Sequence, residues 1–182
     1  MRWLWKGLVF IAVLGVAVLG YTKIMARIGS GPVPVVHSAE RQADLITVEK
    51  RERRMVLWRG GRALASYDIS LGAASDAGHK QREGDERTPE GRYVIDWRNP
   101  RSVMHLSLHI SYPNAEDKAA AQAGGFPPGG NIMIHGLPNG WGWLGSLHRF
   151  VDWTDGCIAV TNREMREIWS LVPNSTPIEI RA

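Results

Sequence analysis

Sixteen consecutive residues, Gly7 to Thr22, carry no charge and are mostly apolar. A run of that kind must be covered, either by protein or by a bilayer. Its flanks decide between the two: Arg2 and Lys6 precede it, and Lys23 and Arg27 follow it. A terminal apolar run between basic residues reads as a targeting segment over residues 1–28, a signal-anchor or a signal peptide. As a helix the run would be about 24 Å long, and snorkelling Lys and Trp side chains extend its reach across a bilayer. No clean Ala-x-Ala site follows, which favours an uncleaved anchor. The chain is therefore expected in the periplasm or cell envelope, held to the inner membrane by this helix.

The rest of the chain is then free to be one domain. Gly29-Ser30-Gly31-Pro32-Val33-Pro34 has linker composition, so residues 29–44 are assigned as a linker and 45–182 as the folded unit. The net charge of +4 does not imply a nucleic-acid partner. Taking the four basic residues of the targeting segment from the total of 22 leaves 18, against 18 acidic residues. No basic stripe with interleaved aromatics is present either.

Short β-type runs dominate after residue 44: Leu45–Glu49, Met55–Arg59, Ala63–Leu71, Tyr93–Trp97, His105–Ile110, Ile132–His135, Cys157–Val160 and Pro177–Ile180. Gly60-Gly61 marks a hairpin turn. Two helices interrupt them. Asn114 is expected to cap one that runs to Ala123 and stops at Gly124-Gly125. Asn162 is expected to cap the other, with Met165, Ile168, Trp169 and Val172 on one face and Pro173 as its stop. The fold class is mainly β (α+β).

Cys157 is the single cysteine, so a domain in oxidising space has no internal disulfide to lean on. It stands in Trp153-Thr154-Asp155-Gly156-Cys157-Ile158-Ala159-Val160, where a glycine permits a tight turn into a buried strand. Taken alone, it is either a small buried hydrophobe or a nucleophile. Ile134-His135-Gly136 supplies a histidine at the end of an apolar strand, 22 residues earlier. A thiol needs such a base, because the thiolate is the attacking form. His105 and His109, placed on one strand, are too far apart to share an ion, and no metal or other cofactor is expected.

These residues resemble the L,D-transpeptidase catalytic domain of the YkuD type, whose signature is His-Gly, a spacer, then Ser/Thr-His-Gly-Cys. Thr88-Pro89-Glu90-Gly91 resembles the turn the family carries before a strand, and the resemblance spans Leu45 to Arg181. It implies a β-sandwich of mixed sheets with two short helices. It also implies attack by Cys157 at the L-centre of meso-diaminopimelate in a peptidoglycan stem peptide, with His135 as base and acid and backbone N–H groups at Gly156 and Cys157 for the oxyanion. In the family a backbone carbonyl often orients the histidine. The departures are Asp155 where the family has histidine and Ala159 where it has Asn or Arg. They point to a divergent subgroup, one branch of which hydrolyses diaminopimelate bonds and releases a wall-linked lipoprotein.

Asp155 is expected to orient His135, to bind a substrate ammonium, or simply to form the turn. His148, Arg149 and Arg87 are candidates for the substrate groove, the arginines for stem-peptide carboxylates. Trp141 and Trp143 would form an aromatic lip or fold inward. Three functions stay open: transfer of the acyl group to an amine acceptor, its hydrolysis, and a binding module without catalysis.

Overall fold

A computed structural model describes residues 2–29 and 31–182; Met1 of the targeting segment and Ser30 of the linker lie outside the described residues. Helix α1 (Arg2–Ile28) is the apolar run, continuous over 27 residues. Residues 32–43 then lie along the folded unit: the Pro32 carbonyl accepts from Arg166, and His37 N–H and Ala43 N–H donate to Ser170 and Leu171 carbonyls.

The domain is built on one mixed sheet of eight strands. They are β1 (Leu45–Glu49), β2 (Arg54–Arg59), β3 (Arg62–Asp68), β4 (Gly91–Asn99), β5 (Ser107–Ile110), β6 (Met133–His135), β7 (Ile158–Ala159) and β8 (Pro177–Arg181). Their order is β3-β2-β1-β8-β4-β5-β6-β7. The β1–β8 and β6–β7 pairs are parallel and the others antiparallel. A register shift between Ile95 and Trp97 marks the length of β4 where it leaves β8 for β5. A bulge bends its strand and raises the local twist, so the sheet curls there. The isolated bridges Ser70–Ala159 and Gly72–Thr154 then tie the segment after β3 to the segment around β7. That closure places the loop after β3 beside the run that carries Cys157.

Alternation sorts the strands. In β1, Ile46 and Val48 are wholly buried, and in β8 Ile178 and Ile180 are buried as well. They join Met55, Leu57, Ile95, Leu108, Ile110, Ile134 and Ile158 in a single core cluster. Helix α3 (Asn162–Leu171) covers one side with Met165, Ile168 and Trp169. Helix α2 (Ala115–Ala123) has the expected Asn114 cap, and Asp117 completes a capping box by exchanging hydrogen bonds with it.

Two local readings are corrected. The cap of α3 is Thr161, not Asn162: Thr161 Oγ1 accepts from Glu164 N–H and the Glu164 carboxylate accepts from Thr161 N–H. Asn162 is the first helical residue, and its side chain accepts from Leu137 N–H at 2.8 Å instead. A Thr-x-x-Glu box satisfies two orphan donors, which Asn162 alone would not. His105 does not lie on a strand; it sits at φ 68° before β5, which starts at Ser107.

The loop between β3 and β4 is fastened from below. The Lys50 ammonium is buried and reaches the Glu90 carboxylate at 2.7 Å and the carbonyls of Gly78 and Thr88. The Thr88 hydroxyl accepts from Gly72 N–H at 3.0 Å and from Ser75 Oγ at 2.8 Å. A β-carbon on Gly72 would stand 2.2 Å from the Glu86 carbonyl oxygen and 2.8 Å from Gly156 Cα. Gly72→Ala is therefore expected to lower stability by about 1–3 kcal/mol, as overpacking does. In a thermal melt that is a fall of roughly 3–10 °C; an unchanged midpoint would show that the two backbones can separate without cost.

Candidate active site

His135 ends β6, and Cys157 immediately precedes β7. The parallel register pairs Ile134 with Ile158 and His135 with Ala159. Side chains alternate along strands, so Ile134 and Ile158 enter the core together while His135 and Cys157 share the opposite face. Strand spacing and rise put their Cα atoms about 8 Å apart, close enough for the side chains to converge. Both residues line one cleft of about 390 Å³, together with Met133, Trp153, Thr154 and Asp155 and a wall from Ser102 to Met104. Ala159 is fully buried beside His135, and its small side chain leaves the histidine room.

The imidazole is held in one tautomer. His135 Nδ1 lies 2.6 Å from the Gly136 carbonyl oxygen. A carbonyl can only accept, so Nδ1 carries the proton and Nε2 of the neutral ring keeps a free lone pair. Burial pushes the His135 pKa down, against the pull of the Gly136 carbonyl. The orienting group is thus a backbone carbonyl; Asp155 is not needed for it.

The thiol is gripped by the start of β6. Met133 N–H donates to Cys157 Sγ at 3.4 Å, and the sulfur lies 3.6 Å from the Asn131 carbonyl oxygen. Burial pushes the thiol pKa up, and the Asp155 carboxylate adds to that; Met133 N–H and the Lys80 ammonium act the other way. Thiol raised and imidazole lowered, the resting pair is neutral.

The turn that presents Cys157 is self-braced. Thr154 Oγ1 donates to the Cys157 carbonyl at 2.7 Å and accepts from Gly156 N–H at 3.2 Å. Gly156 has φ 121°, and a β-carbon there would meet the Arg87 carbonyl oxygen at 2.5 Å. The expected oxyanion donor at Gly156 is therefore already engaged with Thr154. The Thr88-Pro89-Glu90-Gly91 segment belongs to the site through the residue before it: the Arg87 carbonyl forms its floor.

The remaining candidates separate. Asp155 is exposed and lines two clefts: that of Cys157 and a neighbour of about 730 Å³ walled by Lys80, Glu83, Tyr112 and the Pro127–Asn131 segment. Arg149 is committed to Glu164, with both carboxylate oxygens 2.6 Å from one guanidinium nitrogen, and lies 3.7 Å from Asp68. Arg87 points toward the His79 carbonyl and lines a third cleft with Asp85 and Phe126. Trp141 donates to Thr22 of α1, and Trp143 is exposed beside it. None of these four lines the cleft of Cys157.

His148 is buried behind the site. Its Nδ1 is 3.1 Å from Ser70 Oγ and 3.4 Å from Trp153 Nε1. Indole N–H only donates, so Nδ1 accepts. Trp153 also meets His135 edge-on, with ring centroids 5.7 Å apart. The sequence alone assigns no role to Trp153 or to Lys80. The buried Lys80 ammonium holds Asp85 at 2.7 Å. Burial would raise Asp85, but Lys80 and the N–H groups of Gln81, Arg82 and Arg87 bring it down to about 2. No sequence pattern marks a lysine that becomes important only by loop closure. Among the described residues no cluster could hold a metal ion.

Comparison with known proteins identifies the family. Residues 43–180 match the L,D-transpeptidase catalytic domain (YkuD) model, and the chain belongs to that family. YafK of Escherichia coli (strain K12), which carries a provisional L,D-transpeptidase name, is 34% identical over 135 residues, covering 70% of this chain and 46% of YafK. The chain thus spans about half the length of the curated relatives it matches. Among solved structures, the helical cell shape determining protein Pgp2 of Campylobacter jejuni superposes with a TM-score of 0.57 at 23% identity, over 88% of this chain and 55% of Pgp2. An L,D-transpeptidase of Mycobacterium smegmatis gives 0.51 at 14% identity, over 77% and 59%. At those identities the likeness concerns the fold.

Two measurements test the electrostatics. Asp155→Asn removes a negative charge that opposes the thiolate, so alkylation of Cys157 by iodoacetamide at pH 7 is expected to be several-fold faster than in the parent; an equal or slower rate would place the carboxylate away from the sulfur. Burial, joined by the Arg149 guanidinium, pushes His148 from 6.5 down to about 4. The unfolded chain then binds the proton first, so the stability due to a neutral His148 is complete above about pH 6.5 and lost as pH falls toward 4. Screening by the solvent that reaches the ring reduces this linkage to on the order of 1–2 kcal/mol. Melts of His148→Gln should show a visibly smaller loss between pH 7 and pH 4.5 than the parent; parallel pH profiles would contradict it.

Proposed function

We propose that the chain is a cysteine acyltransferase that cuts the bond on the L-centre carbonyl of meso-diaminopimelate in peptidoglycan stem peptides and passes the acyl group to an amine. The observation that carries this reading is the fixed tautomer of His135, which leaves a bare Nε2 in the cleft that Cys157 shares. As Sγ forms its bond to the carbonyl carbon, the thiol proton passes to His135 Nε2. The tetrahedral oxyanion takes the Cys157 N–H, since Gly156 N–H is occupied; a donor of this kind is worth about 3–4 kcal/mol elsewhere. Collapse breaks the C–N bond, and His135 returns the proton to the departing amine. An acceptor amine, on a second stem peptide or a wall-attached protein, then attacks the thioester and restores the thiol.

A neutral pair suits this sequence. The thiol need not ionise before the substrate arrives, and its proton has a single basic site to reach. Asp155, exposed where two clefts meet, offers its carboxylate to the free ammonium of diaminopimelate. Work on the wall places the domain in the envelope, with α1 as its inner-membrane anchor.

Cys157→Ala is expected to abolish turnover of diaminopimelate-containing muropeptides while the thermal midpoint stays close to the parent's. Tetrapeptide muropeptides incubated with the parent should yield dimers crosslinked between two diaminopimelates, seen by mass spectrometry. Tripeptides without dimers, with acceptor amine present, would make the enzyme a hydrolase. Undiminished turnover in Cys157→Ala would refute the cysteine mechanism altogether.

A further inference from the structure

The C-terminal end of α1 does not hang free. Tyr21 Oη donates to the Gly140 carbonyl at 2.8 Å, and Trp141 Nε1 donates to Thr22 Oγ1 at 3.1 Å. The Tyr21 and Trp141 rings meet edge-on at 5.9 Å. Gly140 itself packs so closely that a β-carbon would lie 2.6 Å from Met25 Cγ. The helix therefore carries a fixed level into the domain. From Trp3 to Gly20 it rises about 27 Å, close to the roughly 30 Å hydrocarbon thickness of a bilayer. Tyr21 and Thr22 then stand at the headgroup boundary, where amphipathic aromatic rings collect.

Trp141 leads directly into Gly142–Phe150, two short 3-10 turns separated by a kink at Gly145 (φ 49°, ψ −131°). This segment exposes Trp143 at 69%, Leu147 at 55% and Phe150 at 83%, with Val151 next at 64%. Large exposed apolar side chains after Ala43 are otherwise scattered singly among the described residues. The segment Gly142–Val151 contains no acidic residue. Three acids lie close by: Asp152 is paired with Arg53 at 2.7 Å, Glu164 with Arg149 at 2.6 Å, and the exposed Asp68 lies 3.7 Å from Arg149. Lys23 and Arg27, exposed on α1 past Thr22, supply positive charge at the level of anionic headgroups.

The geometry points to a second membrane contact: Trp143, Leu147, Phe150 and Val151 insert into the headgroup–acyl boundary of the bilayer that α1 spans. Trp141 touches α1 and, through its ring contact with Trp143, leads into this segment. The contacts at Gly140-Trp141 already tie the domain to α1. A second point of contact fixes its orientation. Because Val151 lies two residues before Trp153 of the cleft wall, the mouth at Cys157 is held near the membrane surface.

The test uses the full chain in vesicles of phosphatidylethanolamine and phosphatidylglycerol. In a Cys157→Ser background, Leu147→Cys or Phe150→Cys is labelled with the environment-sensitive dye NBD, and Lys118→Cys on the exposed face of α2 serves as reference. The two labels are expected to emit at shorter wavelength than the reference and to be quenched by lipids with a shallow nitroxide. Their quenching by aqueous iodide should be about three-fold weaker or less, as for an interfacial side chain. Iodide quenching equal to that at Lys118→Cys would overturn the proposal. So would protection that rises with protein-to-lipid ratio, because that would make the occupant another protein.

Discussion

Gly156 and the Arg87 carbonyl come so close that only a hydrogen atom fits between them. Much of the site rests on that approach. It lets the backbone turn at a φ that L side chains avoid, and so lets Cys157 enter β7 with its sulfur on the face of His135. Gly72 makes the matching approach from the other side, against the Glu86 carbonyl and Gly156. Thr88 links the layers by accepting from Gly72 N–H, and Lys50 ties the same loop to β1's end through buried hydrogen bonds. The Cys157 turn is thus held between two stretches of the pinned β3–β4 loop, around Gly72 and around Arg87, which is how β7, a strand of only two residues, can hold the Cys157 thiol in place.

The electrostatics follow from that burial. Removing water from His135 and Cys157 disfavours the charged form of each, and the thiol and imidazole rest neutral. Asp155 strengthens the effect on the sulfur, while Lys80 and the Met133 N–H moderate it. Lys80 is itself balanced by Asp85, so the positive charge near the sulfur belongs to a closed ion pair rather than to a mobile side chain. Trp153 stands between His135 and His148 and couples the cleft to the buried layer behind it.

The family motif and the departures from it act on different parts of this arrangement. His135, Gly136, Gly156 and Cys157 build the candidate pair and its support, and Thr88 secures the loop below. Asp155 and Ala159 change what surrounds the pair. A carboxylate at the boundary of two clefts alters which substrate charges are welcome there, and a small residue in register with His135 removes any side chain that could compete for the imidazole.

The order of strands and helices was legible in the sequence, because period-two burial and Gly or Pro punctuation are local properties. The candidate pair Cys157 and His135 was legible too, since a single cysteine after a glycine turn and a histidine at a strand end stand out. Local chemistry also placed the Asn114 cap. It misplaced the second cap by one residue, as Thr161 and Glu164 satisfy each other and free Asn162 for Leu137. Tertiary structure alone decided which long polar side chains face the cleft. Arg149 is taken by Glu164, Arg87 offers its carbonyl rather than its guanidinium, and Trp141 turns to α1. Lys80 and Trp153, which no local pattern singles out, line the clefts instead. The reason is physical: a buried backbone turn is set by neighbouring residues, but the partner of a long side chain depends on which distant loop the closed sheet brings within its reach.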